Sequence, residues 1–154
     1  MDTIKTIMAG CRSWRNAKQI TAVAAYEDTL TDARVTEFCR GLSRQLGDDC
    51  EVVKQMWLLN ELRIPQLRSI AAGEASRADL IIVSVHHAPK LPDEITHWIE
   101  QWLRQKQRQA IVLLALFDSV YQGDSASMRT YLAQAAKKAA MQFLVHSEEE
   151  IEDL

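Results

Sequence analysis

Ala78-Asp79-Leu80-Ile81-Ile82-Val83-Ser84-Val85-His86-His87 is the stretch that decides the fold. From Leu80 to Val85 it is short, rich in β-branched residues and apolar apart from Ser84. It has a period of neither 3.6 nor 2, so it reads as a strand buried on both faces. Strands of that kind belong to parallel sheets covered by helices. The run ends abruptly in polar, ionisable residues. Ser84, His86 and His87 therefore fall at the carboxyl end, where open α/β sheets bind ligands.

Downstream, Pro89 and Pro92 shape an exit loop, and Asp93 and Glu94 favour the first turn of a helix. Ile95, Trp98, Ile99, Trp102 and Leu103 give that helix a wide apolar face. Ala110 to Phe117 reads as the next strand, ending in Asp118. Gly123-Asp124-Ser125 then leads into a helix carrying Met128, Tyr131, Leu132, Ala135 and Ala139. Met141 to Val145 is a short last strand ending at His146, followed by a frayed acidic tail, residues 148–154.

Upstream, Pro65 opens a helix whose buried side is expected to be Leu67, Ile70, Ala71 and Ala75. Glu51 to Leu58 is a strand with Lys54 and Gln55, polar enough for a sheet edge. Val35, Phe38, Cys39, Leu42 and Leu46 make one helical stripe, stopped by Gly47. At the start of that helix Thr29 and Asp32 have capping-box spacing, and Thr31 is an equal candidate for the cap. Ile20 to Tyr26 is the first strand and ends in Glu27-Asp28.

The order is βαβαβαβαβ, which means an α/β fold with a parallel sheet. The first, third and fourth strands are the most apolar and belong in the centre. The flavodoxin-like order 2-1-3-4-5 satisfies this with right-handed crossovers. The expected architecture is one five-stranded, three-layer domain over residues 20–147, preceded by an extension, residues 1–19. In that extension Ile4, Ile7, Met8, Cys11 and Trp14 recur at helical spacing, which suits a short amphipathic helix weakened by Gly10, the alternative being a floppy arm.

The chain has 154 residues and a formal net charge of −3, which gives no electrostatic case for nucleic acid or an anionic membrane. The longest wholly apolar run is too short to span a bilayer, and the N-terminus lacks a signal-peptide core, so a cytoplasmic location is expected. Cys11, Cys39 and Cys50 are scattered without metal or disulfide spacing. Cys39 reads as a small core residue.

With these elements in place, the layout over residues 20–146 resembles the receiver domains of bacterial response regulators. Glu27-Asp28 is similar to the acidic pair that follows the first receiver strand. The resemblance implies a phosphoacceptor Asp ending the third strand, but Ser84-Val85-His86-His87 contains none. It implies Ser or Thr ending the fourth strand and Lys ending the fifth, where this chain offers Ala115 to Asp118 and His146. The aspartyl-phosphate mechanism therefore does not transfer. A receiver also has a helix after its fifth strand, and the acidic tail does not supply one. Uncovered apolar sheet is unfavourable at about 25 cal/mol per Å². The stripe from Ile4 to Trp14 is expected to cover that face, from the same chain or a second subunit.

In a 2-1-3-4-5 sheet the crevice lies between strands one and three. The candidate catalytic residues are Glu27, Asp28 and His86, since carboxylates beside an imidazole suit acid–base work. Thr29, Trp57, Ser84, His87 and Asp118 are candidate ligand-binding residues around them. No metal ligands are assigned and no cofactor is expected, a divalent metal being the open option. The competing reading is structural: Glu27 and Asp28 as loop and helix-start charges, one histidine in a buried hydrogen bond. Adjacent strand residues point to opposite faces, so His86 and His87 do not both enter one site within a strand. A serine nucleophile at Ser84 lacks the GxSxG elbow, and no glycine-rich phosphate loop follows strand one. The Trp98 and Trp102 stripe reads as core, and Arg104, Lys106 and Arg108 as a solvated helix end.

The leading expectation is a non-catalytic, receiver-like signalling or protein-interaction module that forms a homodimer. The alternative is a small enzyme, a hydrolase or nucleoside-processing transferase, using the carboxylate and His residues at the ends of strands one and three.

Overall fold

The computed structural model describes residues 3–86, 90–105, 110–117 and 126–147. The described residues form helix α1 (Thr3–Gly10), strand β1 (Gln19–Tyr26), α2 (Thr29–Leu46), β2 (Glu51–Leu58), α3 (Leu59–Leu62), α4 (Pro65–Arg77), β3 (Leu80–Ser84), α5 (Asp93–Leu103), β4 (Val112–Phe117), α6 (Ala126–Lys138) and β5 (Gln142–Ser147). The five strands make one open sheet, every pair parallel, in the order β2-β1-β3-β4-β5. This is the expected flavodoxin-like order, with the polar strand β2 at one edge.

The missing period of 2 in β3 has a direct cause. All five of its residues are buried. Ile81 and Val83 enter the core under α4, α5 and α6, while Leu80 and Ile82 enter the core under α1 and α2. β4 divides in the same way, with Leu113, Ala115 and Phe117 against Val112, Leu114 and Leu116. A strand covered on both faces has no reason to alternate.

On the first face α5 contributes Ile95, Trp98, Ile99 and Trp102, all wholly buried. The two indole rings meet edge to face at 6.3 Å, a favoured aromatic arrangement. Beside them α4 buries Ala71, Ala72, Ala75 and Ser76, small residues that let its backbone approach the sheet. Ile70, expected on that buried side, is instead 53% exposed. The apolar stripe of α4 is made of alanines, and the larger residue beside it looks outward. The short helix α3 was not foreseen; Glu61 starts it by accepting the Leu58 N–H at 2.8 Å.

The second face is covered from within the chain. α1 and the 3-10 turn after it bury Ile7, Cys11 and Trp14 against Ile20, Leu42, Leu114 and Leu116. The stripe from Ile4 to Trp14, which suited either a short amphipathic helix or a loose arm, is a helix interrupted at Cys11, whose φ of −118° and ψ of 67° lie outside the helical region. α1 crosses α2 closely enough that a Cβ on Gly41 would come within 2.8 Å of Ile4 Cδ1. Thr3 Oγ1 lies 2.9 Å from His146 Nδ1, joining the first helix to the last strand. The acidic tail lies outside the described residues.

α6 ends in a Schellman turn. The Met141 N–H donates to the Ala136 carbonyl at 2.8 Å and the Ala140 N–H to Lys137 at 3.2 Å. The turn places Ala140 at a φ of 58°, a left-handed position that favours glycine. Two outcomes follow for chemical denaturation. Ala140→Gly should stabilise the fold by about 0.5–1 kcal/mol. Ile7→Ala, which empties part of the cover over the second face, should destabilise it by about 2–4 kcal/mol. A loss below about 1 kcal/mol at Ile7 would show that α1 does not hold that face.

Candidate functional site

The crevice begins where β1 stops. Tyr26 is the last strand residue, and its register partner in β3 is Ser84. Beyond it Asp28 is fully extended, with φ −161° and ψ −173°, and it is the N-cap of α2. Asp28 Oδ1 accepts the Thr31 N–H at 3.0 Å. In return Thr31 Oγ1 accepts the N–H groups of Asp28 and Glu27, each at 2.9 Å. This reciprocal box corrects the expected capping by Thr29 or Thr31: the motif is Asp28-Thr29-Leu30-Thr31, with Asp28 as the cap and Thr31 three residues on.

Thr31 is wholly buried and does more than cap. Its carbonyl accepts the Ser84 hydroxyl at 2.9 Å, so one residue ties the start of α2 to the end of β3. A second tie lies above it. Glu27 Oε1 accepts the His86 N–H at 3.0 Å. His86 Nε2 then stands 2.6 Å from Asp28 Oδ2. The fold thus brings together Glu27, Asp28, Ser84 and His86, four of the residues selected from the sequence, with Thr31 at the centre.

The Thr31 N–H holds the Asp28 carboxyl below the ordinary carboxylate range; the His86 hydrogen bond and charge add to this, and partial desolvation works against it. Asp28 is therefore ionised at neutral pH, and the 2.6 Å contact has His86 Nε2–H donating to a carboxylate. Both side chains reach solvent, His86 33% and Asp28 49% exposed. Ser84 does not: it is wholly buried and its proton points to a backbone carbonyl. A Ser84–His86 nucleophile pair is not formed.

Thr29 is exposed on the first turn of α2. Trp57 lies elsewhere. In β2 it pairs with Ala25 and packs against the α4 side of the sheet, where its indole N–H donates to Glu74 Oε1 at 2.6 Å. Its position near the end of β2 was legible; the face it takes depends on register, which one sequence does not fix. His87 and Asp118 lie outside the described residues. Among the described residues no three His, Cys, Asp or Glu side chains are grouped to hold a metal ion. No helix among them is long and apolar enough to cross a membrane.

No protein-family model matches the chain, and no curated protein is significantly similar to it. The functional reading therefore rests on the geometry of the crevice.

The lowered Asp28 pKa gives a signed expectation. A carboxyl whose folded value lies below its unfolded value, about 3.9, contributes stability above that unfolded value; the contribution is lost as pH falls through the folded value. Asp28→Asn keeps an acceptor for the Thr31 N–H and removes the titration. Urea midpoints measured from about pH 6 to about pH 2 should fall less steeply in Asp28→Asn than in the parent. Asp28→Ala, which loses the cap, should be destabilised by about 1 kcal/mol at neutral pH. Parallel acid limbs for Asp28→Asn and the parent would show that this carboxylate has no favourable partner in the folded state.

Proposed function

We propose that this protein is a non-catalytic, receiver-like signalling or interaction module that associates with a second copy of itself. One observation carries the reading: the polar groups of the crevice are engaged in holding the fold. Glu27 secures the His86 backbone, Asp28 caps α2, and Ser84 is buried on the Thr31 carbonyl. At the end of β3, where a receiver presents its phosphoacceptor Asp, this chain places the enclosed Ser84. A side chain buried on a carbonyl is a poor acceptor of a phosphoryl group.

The first motive for self-association, an uncovered sheet face, is answered by α1 within the same chain. Support for it comes instead from the far side of the sheet edge. β2 has a neighbour on one side alone among the described strands. Ile64 and Ile70 on and beside α4 are 47% and 53% exposed. Unpaired strand edges and outward apolar residues are features that partners cover.

A small hydrolase or nucleoside-processing transferase is the second reading. It is favoured by the solvent-accessible His86–Asp28 pair at 2.6 Å, an imidazole oriented by a carboxylate.

A thermal-shift panel separates the two readings. The panel comprises Mg2+, Mn2+, Zn2+, acetyl phosphate with Mg2+, and nucleosides. Ligand at about 100 times its dissociation constant adds ~2.7 kcal/mol, which moves the midpoint by several degrees. The module reading expects no shift that depends on the crevice and no phosphoryl adduct by intact mass. It also expects a sedimentation mass of twice the 17.5 kDa chain. A shift abolished by both Glu27→Gln and His86→Ala would overturn it in favour of the enzyme.

A further inference from the structure

A basic groove lies away from the crevice, where α2 passes over the edge strand β2. Its volume is about 410 Å³, within the range of small-molecule sites. Thr36, Arg40 and Arg44 recur at intervals of four along α2, so they form one stripe on the helix. Lys54 faces them from β2, and its Nζ donates to Thr36 Oγ1 at 2.9 Å. Ser43 completes the polar wall, while Cys39 and Val52 form the floor.

We infer that this groove binds a small phosphate monoester, with the phosphate held by Arg40, Arg44 and Lys54 and its organic part over Cys39 and Val52.

Charge supports the assignment. Two carboxylates oppose the three cations. Glu37 pairs with Arg40 at 2.8 Å and with Arg44 at 3.6 Å. Asp32 accepts the Thr36 hydroxyl at 3.3 Å. The groove keeps an excess positive charge on a chain whose formal net charge is −3. The Glu37 pairs are exposed, with side chains 61–65% accessible, and pairs of that kind are weak and exchangeable. A phosphate dianion offers three terminal oxygens to two guanidinium forks and an ammonium, a denser set of charge-assisted bonds than one carboxylate supplies.

The floor decides between binding and chemistry. Cys39 is buried, and burial raises its thiol to about 11, with nearby Lys54 pulling weakly the other way. The thiol stays protonated at neutral pH and offers an apolar surface, not a thiolate nucleophile. Cys39 thus gives the groove packing surface and no nucleophile. The groove sets three cations against two carboxylates and the chain's formal net charge is −3, so a small molecule fits better than a nucleic acid.

The test is a titration of the full chain followed by amide 1H–15N spectra. The probes are inorganic phosphate, adenosine 5′-monophosphate and adenosine. Saturable shifts confined to residues 36–44 and 52–54 are expected for the two phosphate-bearing probes and absent for adenosine. R40Q/R44Q, both at exposed positions, should weaken binding by about tenfold or more, and K54Q by severalfold. E37Q should tighten it by removing the competing carboxylate. Glu27→Gln and His86→Ala should leave it unchanged, so the outcome is independent of the crevice. No saturable shift up to about 10 mM probe would overturn the proposal. So would equal binding of adenosine, shifts centred elsewhere, or full affinity in a correctly folded R40Q/R44Q.

Discussion

Everything in this molecule follows from a sheet that is apolar on both faces. β1, β3 and β4 put wholly buried side chains above and below the sheet plane. Neither face tolerates water, so each needs its own layer of helices. α4, α5 and α6 supply the first layer. α2 alone is too narrow for the second, and α1 with its following turn completes it. The large residues of α5, Trp98 and Trp102 above all, fill the wide gap beneath the first layer, while the alanines of α4 bring that helix close in. Both indole N–H groups lack an acceptor among the described residues. That is a desolvation penalty set against the large apolar area the two rings bury.

The same constraint creates the crevice. Parallel strands all finish at one end, and the switch in strand order between β1 and β3 leaves their termini with helices departing on opposite sides. Polar termini gathered there need partners. Thr31 provides most of them, receiving two N–H groups and one serine hydroxyl while donating its own N–H to the cap. Above this buried centre, Asp28 and His86 form the pair that meets solvent. The basic groove arises differently. α2 must run across β2 to cover the sheet, and its outward-leaning stripe of Thr36, Arg40 and Arg44 then overhangs the strand edge beside Lys54.

The sequence was most informative where burial was greatest. The short apolar runs marked β1, β3 and β4 as central strands, and the polar Lys54 and Gln55 marked β2 as an edge, which together gave the strand order. It was less informative where small residues carry the packing. Ala71, Ala72 and Ala75 form the buried side of α4, yet Leu67 and Ile70 draw the eye, and Ile70 proves exposed. Glu27, Asp28, Ser84 and His86 were identifiable as neighbours from topology alone. Thr31 was weighed as a cap but not as the link between two elements; the Asp-x-x-Thr spacing was the available sign. Trp57 shows the converse limit: its place along the strand could be read, but its side of the sheet depended on a register that only pairing with β1 establishes.

The contact between Thr3 and His146 spans 143 positions of the chain. α1 packs on α2 as well, so its cover over the second face is complete only when β4 and β5 have joined the sheet. Closing so long a loop is entropically unfavourable before the intervening strands are assembled. α1 is thus the closing piece of the second face. It also sets Thr3, at the start of α1, beside His146 in β5, so the first helix and the last strand of the described residues meet at one place.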